Sequence, residues 1–557
     1  MHPQKQIAEM VVSALDSAIA ADALPQIGEV TPTVERPKHA EHGDYSTSIA
    51  LALASSMRMA PREIAAKIAE SVEQSSMVCD VSIAGPGFIN FRLDDEWLRS
   101  RVNVIRQQGV RFAHSDIGAG QKVQVEFVSV NPTGPLHIGH VRGAVIGNGI
   151  ANILDAAGFD VQREYYVNDA GNQMRIYMES AYVRFLQAAG KDVELGVESY
   201  PGEFVAKLGA ELYAEYGDAV VEMSEDEAIG VIRKTALDRT LANIRATLSR
   251  MGIEYDEWFS EKSLIDGDDF NESLELLKDR GFISEREGAL WFLGTKVGLE
   301  SDSVIIRSME RGPSYFGTDI AYHYNKFVKR GFDRVINVWG ADHHGHIARM
   351  NAVVDSLGVE SDNLTIIINQ MVNFKEGDET VSFNKRKDNF IGADELLDAV
   401  GADACHYIFL ERTPGTHMEF DLELAKAETA ENPVFYVQYA HARLCAVLRA
   451  AKDRGIEFAD GDVSLLTTSQ ELALMRRLNE LPDVIARSAE MLEPHHMPHF
   501  AYEVARELQR FYEACRVISS EPANAELTKA RLLLVDAARI VLEGTLNIMG
   551  MNAPERM

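Results

Sequence analysis

Two histidines, His137 and His140, stand either side of Gly139 in the stretch NPTGPLHIGHVRGAVIGNGIANIL, Asn131–Leu154. They follow a proline-rich turn and open an apolar helical pattern. At this spacing both rings fall on one face of the first helical turn. A helix N-terminus offers free N–H groups and the positive end of the helix dipole, which suits an anion. Gly139 leaves room for a flat ring against the backbone. The chemistry that fits is a nucleotide, its base over Gly139 and its phosphates under the imidazoles. There the rings can stabilise charge that develops on a pentavalent phosphorus. The same spacing also suits one capping and one exposed histidine at a helix start. No GxxxxGK[ST] loop is present, which disfavours a P-loop enzyme.

A second histidine cluster, WGADHHGH, spans Trp339–His346. Asp342, His343, His344 and His346 are zinc-ligand types. Their spacing is cramped, and no HExxH or cysteine partner follows, so the expectation is a polar loop lining a substrate and no protein-held metal. A basic run, NKRKDN at Asn384–Asn389, follows the turn-rich KEGDET. Lys385, Arg386 and Lys387 suit either a solvated face or a clamp on a triphosphate.

The elements that must position these groups fall into three regions. Up to about residue 115, helical patterns (Ile7–Ala21, Pro61–Val72) accompany a strand-like Val81–Leu93 broken by the turn Gly85–Gly87. This reads as a small α+β module. From about 116 to 425, strands and helices alternate. Val123–Val130 is a β-branched run, a helix follows from about His137 to Ala157 with Gly158 to close it, and Val161–Asp169 is the next strand. That is a βαβ unit, the building block of a parallel sheet. Further strands are expected at Ser303–Arg307, Arg334–Gly340 and Leu364–Val372, and residues from about 175 to 285 read as a helical, acidic insertion. Gly143 and Gly147 are expected to let the helix pack close to a neighbour. From about 426 onward four apolar-patterned stretches predict an all-α bundle with a core of its own.

Composition sets wider bounds. The chain has 557 residues, 46% of them hydrophobic and 25% charged, so a large core can be buried. The net charge of -30 argues against non-specific polyanion binding and leaves any nucleic-acid contact to local basic patches. No long apolar run indicates a membrane span, and the N-terminal stretch lacks the layout of a secretory signal. Cys79, Cys405, Cys445 and Cys515 show no paired spacing, so buried thiols in a reducing, cytoplasmic setting are expected.

Taken in order, these motifs resemble one family across nearly the full length. NPTGPLHIGH (Asn131–His140) resembles the HIGH element of a bacterial-type arginyl-tRNA synthetase, a class I aminoacyl-tRNA synthetase. HGDYSTSIALALA (His42–Ala54) and IAGPGFINFRL (Ile83–Leu93) resemble the N-terminal domain peculiar to that family. YYVNDAGNQM (Tyr165–Met174), YFGTDIAYH (Tyr315–His323) and GADHHGH (Gly340–His346) resemble its substrate-pocket elements. PVFYVQYAHARLCAVLR resembles the opening of its anticodon-binding domain, and MNAPERM its C-terminal end. The family's KMSKS element departs here: at Ser382–Arg386 a serine replaces the first lysine and Asn384 the central serine, and Lys385 keeps its place.

The resemblance implies a Rossmann-like α/β catalytic core with a parallel sheet, an N-terminal α+β module over 1–115 that meets the tRNA elbow, and a helical anticodon-binding domain over 426–557. It implies that ATP and L-arginine form arginyl adenylate and that the arginyl group passes to the 3′ end of tRNA(Arg). Mg²⁺ would travel on the ATP phosphates. His137, His140 and Lys385 would be catalytic, with Pro132, Thr133, Gly134, Gly139 and Lys387 also at ATP. Glu126, Asn131, Tyr315, Asp319 and His343 would hold arginine, although Asp319 also suits a helix N-cap and Tyr315 a core ring. Arg443, Arg449, Lys452 and Arg454 form a local basic stretch that would meet tRNA, or a solvated helix surface. A monomer is expected. Other class I synthetases, a non-catalytic tRNA-binding paralogue and a metallohydrolase built on DHHGH are the competing readings.

Overall fold

In the computed structural model, which describes residues 3–307, 312–376, 379–381 and 392–557, β-branched runs build the centre. Five strands form one sheet: β1 (Lys122–Glu126), β2 (Asp160–Val167), β3 (Glu257–Ser260), β4 (Arg334–Gly340) and β5 (Leu364–Asn369). Their order is β5-β4-β1-β2-β3, and every pairing is parallel. The strand order reverses between β1 and β4, the crevice where doubly wound sheets bind ligands.

The crossover helix α1 (Ile138–Ala156) joins β1 to β2 and is buried along almost its whole length. It lies close to the sheet because Gly147 faces Phe127: a Cβ there would come 2.2 Å from Phe127 Cγ. Gly158, at φ +87°, closes the helix end as expected. Two further helices of this region matter for the site, α2 (Tyr315–Tyr324) and α3 (Ala393–Leu410).

Four expectations about the strands change. The strand expected over Val123–Val130 stops at Glu126, because Val128 and Ser129 turn to φ +69° and +43°. The segment read as a helical insertion contributes β3 to the parallel sheet; its four residues, EWFS, are too short to show alternation. Ser303–Ile306 is a strand, but it pairs antiparallel with Ala289–Phe292 in a separate sheet. The run Leu364–Val372 is split: β5 ends at Asn369, and Val372–Glu376 pairs in parallel with Met418–Asp421.

The N-terminal module is a four-stranded antiparallel sheet carrying helices Pro3–Ala20, Ile49–Met57 and Pro61–Glu70. The C-terminal helices are α4 (Pro433–Asp453), Ser469–Leu478, α5 (Leu481–Met491), α6 (His496–Ala514) and α7 (Ala525–Ile548). Their apolar faces meet one another and continue without a break into the rest of the molecule. One continuous apolar core runs from Ile7 through Val102, Val141 and Tyr407 to Leu533 and Met551. The first module docks on the last helices: Tyr45 Oη donates to Asp483 at 2.6 Å, Arg36 pairs with Glu480 at 2.6 Å, and Arg106 pairs with Asp536 at 2.8 Å. Three of the cysteines are buried as expected, but Cys79 lies exposed on a strand. No helix among the described residues is long and apolar enough to cross a membrane.

Candidate active site

The chain leaves β1 through a tight turn. Val128 is β-branched and sits at φ +69°, a sparsely populated conformation for such a residue. Ser129 N–H donates to Phe127 O at 3.0 Å, which closes the turn. Side chains around it hold the conformation: Tyr165 Oη donates to Val130 O (2.9 Å), Tyr255 Oη to Phe127 O (3.1 Å), and Tyr166 N–H to Ser129 Oγ (3.1 Å). The turn delivers Asn131, Pro132, Thr133 and Gly134 to the crevice, where Asn131 hydrogen-bonds Gln173.

His137 is the N-cap of α1, and its N–H donates to His140 Nδ1 at 3.2 Å. The two rings stack, centroids 3.4 Å apart. A Cβ on Gly139 would lie 3.1 Å from His137 Cε1, so the bare backbone that the sequence reserves for a flat ring here faces the histidine itself. The paired imidazoles thus sit at the positive end of a 19-residue helix.

A cluster of carboxylates gathers near the end of β1. Glu126 ends β1, Glu261 begins the helix after β3, and Asp319 lies inside α2. Burial, with Glu126 and Glu261 nearby, pushes the Asp319 carboxyl up to about 7, against the pull of Lys326 and Arg349. Burial also raises Glu261, which is 3% exposed. Asp319 is not a helix cap: Ser314 caps α2, its Oγ accepting from Gly317 N–H at 3.2 Å. Tyr315 is not a core ring either, being 54% exposed on the same helix, with its hydroxyl near Gly171.

Three residues that the sequence reading passed over hold this arrangement. Lys326 is wholly buried and turned inward on a π-helical turn, Asn325–Lys329, that continues α2. Its Nζ donates to Glu126 Oε2 (2.6 Å) and Asn337 Oδ1 (3.0 Å), and lies 4.0 Å above the Tyr322 ring. Asn337 Nδ2 lies 3.2 Å from His323 Nε2, and His323 Nδ1 lies 2.8 Å from Asp319 O. Burial and Lys326 push His323 down to about 3. It is therefore neutral, accepting at Nε2 and donating at Nδ1. Arg142, on α1, is also fully buried; it donates to Gln370 O (2.8 Å), Thr413 O (3.1 Å) and Thr416 O (2.9 Å). Burial pushes it down to about 10. Glu261 is the third. A lysine four positions after Tyr322 in an apolar helical run was the one legible signal among them.

The remaining candidates are more dispersed. His343 lies exposed on the 3₁₀ turn Ala341–His346 at the end of β4, with its Nε2 3.6 Å from Asp342. Arg443 reaches Gln509 Oε1 (3.1 Å) and lies over the Tyr512 ring, while Arg449 donates to Glu555 O (2.9 Å). These two brace the bundle and do not form a freely solvated face. Lys452 and Arg454 are exposed at the end of α4. Lys385 and Lys387, with Ser382, Asn384 and Arg386, lie outside the described residues.

Comparison with known proteins covers the chain in three blocks. Residues 4–93 match the arginyl tRNA synthetase N-terminal domain, 101–441 the catalytic domain of class I (R) tRNA synthetases, and 437–557 the DALR anticodon-binding domain. An arginine–tRNA ligase of Dehalococcoides mccartyi is 44% identical over 551 residues, 99% of this chain and 98% of that one. One of Heliobacterium modesticaldum is 45% identical over 562 residues, 100% and 99% of the two chains. The solved arginyl-tRNA synthetase of Thermus thermophilus shares the fold over 100% of both chains, with TM-score 0.79 and 23% identity. With relatives of one specificity matching at this level from end to end, the chain belongs to the arginyl-tRNA synthetase family.

Proposed function

We propose that this chain activates L-arginine with ATP and transfers it to the 3′ end of tRNA(Arg), using the residues gathered at the β1–β4 crevice. The observation that carries the reading is the pocket of Glu126, Glu261 and Asp319, whose buried negative charge exceeds the cations beside it. A planar guanidinium supplies the missing charge and the donors to match. Asp319 and Glu126 take the guanidinium, Tyr315 flanks it, and Asn131 and His343 hold the α-amino and carboxylate end.

The arginine carboxylate oxygen attacks the α-phosphorus of ATP, the bond to the β-phosphate oxygen breaks, and pyrophosphate leaves. Positioning and charge stabilisation do most of the work in such a step. His137 and His140 donate to the phosphate oxygens as negative charge grows on them, and the N-terminus of α1 adds its dipole. Pro132, Thr133, Gly134 and Gly139 shape the seat of the nucleotide. Lys385 steadies the leaving pyrophosphate, with Lys387 beside it, and Mg²⁺ arrives with ATP as part of the substrate. A ribose hydroxyl of the terminal adenosine then attacks the carbonyl carbon and AMP departs.

In this reading residues 1–115 meet the tRNA elbow, 116–425 carry the chemistry with an insertion at about 175–285, and 426–557 read the anticodon. Lys452 and Arg454, with Arg443 and Arg449, offer charge to the tRNA backbone. The enzyme works as a monomer in the cytoplasm, and arginine activation requires bound tRNA. Incubating the full chain with ATP and each of the twenty amino acids, with and without bulk tRNA, tests this. Pyrophosphate exchange and tRNA charging with arginine alone, dependent on tRNA, are expected. Exchange with another amino acid at a similar rate, or none with arginine, overturns the assignment.

A further inference from the structure

The turn between α5 and α6 reads LEPHHMPH, Leu492–His499. It contributes none of the residues placed in the chemistry above. Glu493, His495 and His496 each present one candidate ligand atom, and the three atoms lie within 4.8 Å of one another. Among the described residues no other group of three His, Cys, Asp or Glu does so, the histidine-rich Trp339–His346 included.

Several observations mark this cluster as more than chance crowding. His496 Nε2 is 2.9 Å from Glu493 Oε2. The His495 ring lies 4.3 Å from that of His496 and 5.8 Å from that of His499, centroid to centroid. His495 Nδ1 is buried and has no hydrogen-bond partner. An imidazole nitrogen withdrawn from water and left unpaired costs free energy unless something accepts its lone pair or its proton. The backbone here is fixed: Met497 is wholly buried, Tyr407 Oη donates to Pro498 O at 3.3 Å, and Pro494 packs near Gly149 of α1. Arg487, on α5, is the cation facing both rings, and its side chain is exposed, so it can turn to water.

We propose that Glu493, His495 and His496 form a site for a divalent transition-metal ion of the zinc class, with His499 or water completing the shell. Two neutral imidazoles and one carboxylate are borderline donors that suit Zn²⁺ and its neighbours, and suit Mg²⁺ poorly. Ligand atoms around tetrahedral zinc lie roughly 3.3 Å apart. The bound ion ties the α5–α6 turn where it seats on α1, and so braces the C-terminal helices against the helix that carries His137 and His140.

The test uses the untagged full chain, stripped with chelator. It is titrated with Zn²⁺ by calorimetry and with Co²⁺ by visible absorption, and its Tm is read with and without Zn²⁺. One equivalent bound, a tetrahedral Co²⁺ band and a raised Tm are expected. Glu493→Gln and His495→Asn are each expected to weaken binding at least tenfold, and His343→Asn to leave it unchanged. Circular dichroism of the metal-free variants separates loss of ligands from loss of fold, and two variants at different ligands guard against either misfolding. Uptake of no equivalent, uptake equal in parent and both ligand variants, or uptake lost in His343→Asn overturns the proposal.

Discussion

The seam between the N-terminal module and the C-terminal helices buries charge, and so does the pocket at the end of β1, yet the two resolve it differently. At the seam, opposite charges meet. Arg36 pairs with Glu480, and Arg476 reaches both Asp44 (3.0 Å) and Asp95 (2.9 Å). Burial raises carboxyls in both places, but at the seam Arg36 and Arg477 pull Glu480 back, whereas in the pocket Lys326 is drawn to Glu126 and like charges push Asp319 and Glu261 further up. A balanced set of buried charges holds two surfaces together. An unbalanced set is destabilising by itself and persists where a ligand completes it.

The largest expected effect removes the wholly buried cation of the pocket, Lys326. Lys326→Met leaves Glu126 buried and unpaired and should destabilise the fold by about 3–5 kcal/mol, read by denaturant unfolding. The double variant with Glu126→Gln should recover most of that loss. A tolerated single variant would mean that the pocket is wetter and its charges better screened than the contrast requires.

Next comes the nucleotide side. His140→Ala should slow adenylate formation by about 3–4 kcal/mol of barrier and weaken ATP binding far less, read by single-turnover kinetics against equilibrium dialysis. Equal losses in both would leave His140 a general binding residue.

Asp319→Asn sharpens the contrast through pH. A carboxyl that titrates near 7 in the folded chain holds its proton more tightly folded than unfolded. Its contribution therefore lowers stability as pH rises from about 4 to about 7, and is flat above that. The asparagine variant should be more heat-stable than the parent at about pH 8 and little different at about pH 5. Replacing a charged hydrogen bond by a neutral one should raise the arginine KM by about 1.5–3 kcal/mol at neutral pH. In the parent, that KM should climb as pH falls below about 7; in the variant, much less. A parent and variant with the same pH profile would take Asp319 out of the guanidinium site.

The smallest effect lies at the seam. Tyr45→Phe removes one hydrogen bond to Asp483, which keeps the Gln4 N–H at 3.3 Å. A loss of about 1 kcal/mol is expected, with arginine KM and adenylation rate unchanged. A shift in KM would show that seam and pocket are not energetically separate.

Much of this was legible from residue patterns. The βαβ unit and the β4 strand follow from β-branched runs, and His137, Gly139 and His140 stand out by spacing. The resemblance supplied candidates such as Asp319 and Tyr315, which side-chain type alone left open between cap, core and pocket. What escaped was long-range. Lys326 meets Glu126 across 200 positions and Arg142 meets Thr413 across 271, and no local pattern encodes such pairs. Strand β3 was hidden by its length, and the turn at Val128 by its composition, since a valine run reads as strand until tyrosines elsewhere force it aside. The core common to the first and last elements was hidden too, because helical periodicity shows that a face is apolar and not what covers it.

That common core also has a place in time. Tyr45 and Asp483 lie 438 positions apart. At roughly 5–20 residues per second, a ribosome needs roughly 20–90 s to make the partner after Tyr45 emerges. For that interval the N-terminal module exists with its docking face bare: Arg36 without Glu480, Arg106 without Asp536, and the apolar sides of Leu98, Val102 and Ile105 still facing water. The first part of the chain to be born is among the last to be finished, and a nascent chain halted midway presents a sticky surface that the completed enzyme never shows.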